Sequence, residues 1–325
     1  MKTIYLPSSQ HPESQTVLPL TEPTVATVGF FDGVHRGHQH IIDTVRRLAH
    51  SQGTLSMVVT FDRHPRQVLN ADYQPQLLNS LDDKLFLLSK TGVDITVVVP
   101  FDKQTAAMTA EEFMRHTLKE QCNVTHLVLG YDNRFGNGRK ATFKDYERYG
   151  ADMGITVSTT NAIEMNGENI SSSVVRRFLE RGEVEMAQQC LGHPYFLTGK
   201  VTHGDREGRK LGFPTANLQP LMAEQLIPAN GVYSVKVRLP YSVEMKKGIM
   251  NIGICPTFGK QQRTLETHIL QFDDDLYDQE LRVAFVHRIR EEQTFDSPEN
   301  LIKQIEQDKE LANRQFDRDN DPEGN

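Results

Sequence analysis

Nowhere among the 325 residues is there an apolar run long enough to span a membrane as a helix. The longest stretches, such as Ile95 to Phe101, reach about a third of the roughly 20 residues that a span needs. The opening residues, MKTIYLPSSQHPES, lack the continuous apolar region of a secretory signal, so the expected compartment is the cytoplasm. Cysteine is scarce. Cys122, Cys190 and Cys255 are odd in number and far apart, which excludes a disulfide framework and a CxxC zinc motif and predicts three reduced thiols. There is no basic excess either: 36 Lys and Arg face 43 Asp and Glu, for a net charge of −7. A generic nucleic-acid binder, whose affinity comes from neutralising phosphates, is not expected, although a local basic pocket stays open. The GxxxxGK of a Walker A loop is also missing.

What remains is an ordinary globular mixture, with 24% charged residues and a length that predicts two domains. The first half alternates short apolar runs with amphipathic patterns. Strands are expected at Thr24 to Phe31, Leu55 to Phe61, Ile95 to Phe101, His126 to Gly130 and Ile155 to Thr159. Between them, Ile41, Ile42, Val45 and Leu48 share a helical face, as do Leu81, Leu85 and Leu88, and Thr109 with Glu112 forms a capping-box signature. Such alternation predicts parallel βαβ units with both faces of the sheet buried and the ligand at the strands' C-terminal ends. From about Gly192 the pattern becomes short alternating segments at Tyr195 to Val201, Gly231 to Leu239, Gly248 to Ile254, Thr264 to Phe272 and Leu281 to Ile289. These predict a small antiparallel barrel. Ser297-Pro298-Glu299 then starts a helix that covers one opening or side of it, and the polar DRDNDPEGN end is expected to be disordered.

Chemistry concentrates where strands end. The first strand runs into GFFDGVHRGH, where Gly29 and Gly33, beside the candidate binding residues Phe30 and Asp32, let the backbone approach a ligand before a helix begins. That helix start offers free N–H groups to phosphate oxygens, and His35 and His38 add two donors. The HxxH spacing also fits half a metal site or plain packing, but no third His or Cys is near. Three further segments follow strands: TFDRHP; GYDNRFG with Asp132; and SSSVVR, with Ser171, Ser172, Ser173 and the phosphate-gripping guanidinium of Arg176. Ordinary helix capping accounts for any one of these serines equally well.

In the second half, Gly199, Gly204, Gly208 and Gly212 make a loop able to wrap phosphates, with Arg209 or Lys210 beside it. Thr215 and Asn217, two apart, point the same way and offer hard oxygens suited to Mg²⁺. Glu266 interrupts a strand-like LETHIL run on the face opposite Leu265, Thr267 and Ile269. It is either a solvated carboxylate or the base that a kinase uses on its acceptor alcohol.

GFFDGVHRGH, TFDRHP, GYDNRFG and SSSVVR, in that order, resemble the FMN adenylyltransferase half of the prokaryotic bifunctional riboflavin kinase/FAD synthetases. GRKLGFPTAN, NIGICPTF and LETHILQF resemble the riboflavin kinase half of the same family. The resemblance implies a Rossmann-like HxGH nucleotidyltransferase domain over residues 1–186 and a six-stranded barrel with a terminal helix over 187–313, before a tail at 314–325. It implies that riboflavin and ATP give FMN at the barrel, and that FMN and ATP give FAD and pyrophosphate at the sheet. By it, His35 and His38 contact the ATP phosphates, Asp132 positions substrate, and Ser171 to Ser173 with Arg176 close around the nucleotide. Mg-ATP lies near Thr215 and Asn217, Glu266 is the base, and Arg290 helps to hold the flavin. Three positions depart from the family pattern: Asn133 where Phe is usual, Ser173 where Thr is common, and Asp278 where Gly is common. Two rival readings are adenylyl transfer to another phosphate monoester and a flavin-binding module without turnover. The expected partners are small molecules, with neither nucleic acid nor membrane.

Overall fold

Consecutive β-branched and small residues that are buried on both sides need helices above and below them, and the first half is arranged that way. In a computed structural model describing residues 1–7, 19–69, 76–203, 208, 211–240, 242–257 and 260–319, the chain divides into two units, Met1–Ser172 and Ser173–Asn325. The division precedes the sequence boundary at 186/187, because the two helices after Ser172 group with the second unit.

The first unit runs β1 (Lys2–Tyr5), β2 (Thr24–Val28), α1 (Arg36–Gln52), β3 (Leu55–Phe61), α2 (Pro65–Leu69), α3 (Leu81–Lys90) and β4 (Ile95–Val99). It continues with α4 (Lys103–Ala107), α5 (Ala110–Glu112, prolonged as a π-type turn over Phe113–Gln121), β5 (Val124–Gly130), α6 (Phe143–Met153) and β6 (Thr156–Thr160). A small hairpin, β7 (Glu164–Met165) and β8 (Glu168–Asn169), follows. The six main strands form one parallel sheet in the order β1-β4-β3-β2-β5-β6. Every residue of β2 and β4 is buried. Each fully buried Val or Ile in them contributes about 1.5–3 kcal/mol of burial free energy. Chain order reverses between β2 and β5, which opens a crevice at their C-terminal ends.

The expected strands and the capping box at Thr109 are present, Glu112 Oε2 accepting from the Thr109 amide at 2.8 Å. Two features differ from the sequence expectation. β1 was not anticipated; its four residues pair only with β4, so it is an edge strand with little of a two-faced pattern. On α3 the buried residues are Asp83, Lys84, Leu87 and Leu88, not a stripe centred on Leu81 and Leu85. Ser80 caps the helix through the Asp83 amide at 3.1 Å, and Lys84 is drawn inward by carbonyls described below.

In the second unit α7 (Ser172–Glu180) and α8 (Val184–Leu191) lead to strands β9 (Phe196–Thr202), β10 (Ala216–Pro220), β11 (Gly231–Arg238), β12 (Met245–Thr257), β13 (Lys260–Ile269) and β14 (Glu280–Arg290), then α9 (Pro298–Asp319). The strands close into a barrel in the order β10-β13-β12-β11-β14-β9. β10 escaped the alternation test because Leu218 is its one buried residue. Gly199 is required where β9 passes β10, since a Cβ there would lie 2.6 Å from the Gln219 carbonyl oxygen. The terminal helix covers a side of the barrel, with Ala312 and Phe316 on Val232, Ile249 and Val286. It continues to Asp319, six residues past the expected end of the domain at 313; residues 320–325 of the expected tail lie outside the described residues. Cys122 and Cys190 are buried and form no disulfide among the described residues, and the Cys255 side chain lies outside the described set.

Asp278, where the family resemblance expects glycine, stands in a turn of positive φ. Its φ is +64°, a left-handed conformation that Asp tolerates better than most residues, and Lys200 Nζ lies 2.8 Å from its carboxylate.

His287 ties α8 and α9 to the barrel. Its ring lies 3.4 Å from Glu185 and 3.2 Å from Asp319, and its pKa is raised first by the hydrogen bond to Glu185 and then by Asp319. A raised folded-state pKa contributes stability below the unfolded value and loses it as pH rises through the folded one. Relative to His287→Gln, the wild-type protein is expected to lose up to about 1 kcal/mol between mildly acidic and mildly alkaline pH. Denaturant melts of both proteins across that range check this, and parallel pH curves would exclude it.

Candidate active sites

In the first unit, the β2 exit turns sharply. Phe31 (φ 56°), Gly33 (φ 80°) and Val34 (φ 42°) are all left-handed, and this places His35 as the N-cap of α1, where its Nδ1 accepts from the His38 amide at 3.3 Å. That hydrogen bond assigns the neutral ring's proton to Nε2. Gly37 makes the arrangement possible, because a Cβ there would lie 3.1 Å from His35 Nδ1. The two imidazoles stack with centroids 3.6 Å apart, and Phe31 meets His38 edge-on at 5.0 Å. Burial holds the His38 pKa well below its ordinary value, and a positive charge on either neighbour, His35 or Lys84, would lower it further. His38 is therefore a neutral ring at neutral pH, and its buried Nδ1 has no hydrogen-bond partner among the described residues.

Several predicted residues gather around this pair. Asp32 is buried, its Oδ1 accepting from the Leu78 amide at 3.0 Å and its carbonyl from Ser172 Oγ at 2.9 Å, so the serine segment is tied to the histidine loop. A cleft of about 420 Å³ opens beside Gly29 and Phe30. Phe61, Phe101, Phe113 and Phe135 line it, with Arg66, Arg134 and Arg139 at its edge. Asn133 spans the switch point: its Nδ2 donates to the Val28 carbonyl and its side chain lines the same cleft. Asp132 is exposed on the adjoining turn. Ser173 and Arg176 lie on α7 in the second unit, Ser173 exposed and Arg176 half-buried.

Sequence reasoning missed Lys84. It is 2% exposed, and its Nζ donates to the carbonyls of Phe61 (2.8 Å) and Phe30 (3.1 Å) and sits 4.0 Å from the Phe30 ring centroid. Burial brings its pKa down to about 7, against the opposing pull of Asp32 and Asp62. The available signal was a lysine between Leu81 and Leu88 on the inward stripe of α3.

In the second unit, strand register sets the geometry. Thr202 pairs with Asn217, Asn217 with Glu266, Glu266 with Asn251, and Asn251 with Val232. Residues directly opposite on neighbouring strands share a face. Since Val232 lies under α9 while Leu265, Thr267, Met250 and Ile252 are buried on the other side, the polar row occupies the outer wall of the barrel beside the helix. Thr215 has the parity of Asn217 and lines a cleft of about 60 Å³ with Asp273 to Tyr277. Thr267 lines the same cleft, and its buried Oγ1 has no hydrogen-bond partner among the described residues. Gly208 has no room for a side chain, because a Cβ would lie 2.5 Å from the Phe213 carbonyl oxygen and 3.2 Å from Thr215 Oγ1. Gly212 has φ +87°. Gly204, Arg209 and Lys210 lie outside the described residues. Arg290 is held by Asp308 of α9 through contacts of 2.8 to 3.1 Å, a buried bidentate pair that anchors the helix.

The chain matches two family models, FAD synthetase over residues 18–174 and riboflavin kinase over residues 191–316. A bifunctional riboflavin kinase/FMN adenylyltransferase of Escherichia coli K12 is 37% identical over 91% of this chain and 93% of its own. One of Bacillus subtilis 168 is 35% identical over 97% of this chain and 98% of its own. A solved structure from Streptococcus pneumoniae, named as a macrolide-efflux protein, superposes with a TM-score of 0.85 at 29% identity over 96% of this chain and 99% of that one. Among the described residues here, no helix is long and apolar enough to cross a membrane.

Proposed function

The chain belongs to the bifunctional riboflavin kinase/FMN adenylyltransferase family, and on that premise we propose which residues carry each of its two reactions. It phosphorylates riboflavin with ATP to FMN and adenylylates FMN with ATP to FAD, releasing pyrophosphate.

Adenylyl transfer takes place at the crevice of the parallel sheet. The flavin enters the phenylalanine-lined cleft, and Arg66, Arg134 and Arg139 receive its phosphate at the rim. That volume lies within the range of small-ligand pockets. An FMN phosphate oxygen attacks the α-phosphorus of ATP, and the bond to the β-phosphate breaks. The nucleophile is already an anion and needs no strong base, so catalysis rests on position and on donors aimed at developing charge. Neutral His35 and His38 supply such donors. Gly29, Phe30, Asp32 and Gly33 shape the turn beneath them, while Asp132, Ser171 and Ser172 belong to the nucleotide's surroundings; the family resemblance alone assigns Ser173 and Arg176 to this reaction.

Phosphoryl transfer takes place on the outer wall of the barrel. Glu266 accepts the proton of the ribityl 5′-hydroxyl as that oxygen attacks the γ-phosphorus and ADP departs. Gly199, Gly204, Gly208, Arg209, Lys210 and Gly212 hold the phosphates. The oxygens of Thr215, which shares its cleft with Asp273 to Asp275, and of Asn217 two residues on are hard donors that fit Mg²⁺, which would neutralise phosphate charge there. Arg290 reaches the flavin only by way of the Asp308 pair that holds it. Consumption of ATP at both centres supports the cytoplasm as the compartment.

The observation that carries the assignment is segregation: the histidine pair stands wholly in the first unit and the Asn217-Glu266-Asn251 row wholly in the second. Incubation with riboflavin, ATP and Mg²⁺, followed by chromatography over time, is expected to show FMN rising first and FAD after it. FMN that accumulates without FAD, even when supplied directly, would remove the adenylyl assignment.

A further inference from the structure

Lys84 belongs to no part of the mechanism above, yet its surroundings are unusual for a lysine. The side chain is buried in the first unit beneath Phe30. Two N–H groups are committed to carbonyls that end two different strands: Phe30, just past β2 where the histidine loop begins, and Phe61, the last residue of β3. The Phe30 carbonyl also accepts from Thr60 Oγ1 at 3.1 Å, so this junction joins both strand exits.

A neutral amine has two N–H groups, so both carbonyls keep a donor in either protonation state, while the ammonium donates to them more strongly. The clamp therefore survives a change of charge and adds its weight to the charged form. On one side stands the cost of burying a cation. On the other stand Asp32 from the turn after β2, Asp62 from the β3 exit and the π face of Phe30. The other titratable groups nearby are His38 of α1, His64, whose ring packs edge-on against Phe30 at 4.9 Å, and Asp83, the preceding residue on α3. These influences balance at a pKa of about 7. A group poised there is tipped by one added charge, and a nucleotide's phosphates bring several to the neutral histidine pair alongside.

We propose that Lys84 is a positioning residue for adenylyl transfer that clamps the Phe30 and Phe61 carbonyls and takes up a proton from solvent when polyphosphate binds beside His38. It thereby provides the buried positive charge that the neutral histidines lack, and returns the proton when pyrophosphate leaves. The inference rests on the reading of His35 and His38 as phosphate donors.

The test uses the full chain with FMN and ATP supplied and riboflavin omitted, so the barrel reaction is silent. FAD formation gives kcat/KM for ATP in the wild type, Lys84→Met and Lys84→Arg. Dividing wild type by variant cancels the ionisations of the substrates themselves. From about pH 6 to pH 9 the wild-type to Lys84→Met ratio is expected to fall about tenfold for each unit by which bound polyphosphate raises the lysine pKa. Lys84→Arg keeps its charge, so the wild type also declines relative to it with rising pH. Should Lys84→Met fail to fold, as a lost melting transition would reveal, the arginine comparison decides alone. A ratio to Met that is constant with pH would reduce Lys84 to a structural clamp and overturn the proposal while the histidine reading stands. A wild type that makes no FAD at any pH would remove the histidine reading and the proposal together.

Discussion

Glu266→Gln is expected to reduce FMN formation by about 10²–10⁴-fold, the usual worth of a positioned general base, while FAD formation from supplied FMN continues at the wild-type rate. The substitution keeps the length of the side chain and its place in the strand register between Asn217 and Asn251. It removes only the capacity to accept a proton from the attacking hydroxyl. The loss should appear in kcat with little change in the KM for ATP, because the nucleotide is held by the glycine loop and the Thr215 cleft rather than by this carboxylate. Glu266→Asp draws the carboxylate back by one methylene and should fall between. Separate assays of the two half-reactions check this. A Glu266→Gln protein that still phosphorylates riboflavin would remove the base from position 266, and one that loses both activities would end the division of labour between the units.

Legibility in the sequence followed physical distinctness. β2 and β4 are buried throughout, so their apolar runs stand out, and the turn of GFFDGVHRGH needs left-handed residues that its glycine advertises. β1 and β10 are short segments with few buried positions, and a five-residue strand carrying Asn217 and Pro220 looks like loop until its neighbours are known. Strand parity put Glu266 opposite Leu265 and Thr267, but parity does not say which side faces the barrel interior; that depends on α9 covering Val232. The burial of Lys84 was hidden for a related reason. A lysine in an amphipathic stripe is ordinary until two carbonyls from distant strands are found to receive it. Asp278 occupies a left-handed turn position, which Asp enters with modest strain. In each case the missing information was what another segment places opposite the residue.

His38→Ala should give the opposite result, with FAD formation reduced by about 10²–10³-fold, the scale of one preorganised donor, and riboflavin phosphorylation unchanged. The argument rests on the ring being neutral. Burial, His35 and Lys84 all disfavour its protonation, so His38 acts as a fixed N–H donor and not as an acid whose proton is spent. The same depression has a thermodynamic sign. The unfolded chain binds this proton more readily than the folded one, so folding stability falls as pH drops through the ordinary histidine range. His38→Gln retains an amide donor and cannot protonate. It should recover part of the activity lost in His38→Ala and should be less acid-sensitive than the wild type in melts compared across that range. If His38→Gln were as acid-sensitive as the wild type, the buried ring would not be neutral, and its role would shift from donor to titrating acid. If His38→Ala kept full FAD formation, the phosphates would have to be held elsewhere along the crevice, with Arg66, Arg134 and Arg139 of the adjoining cleft the candidates.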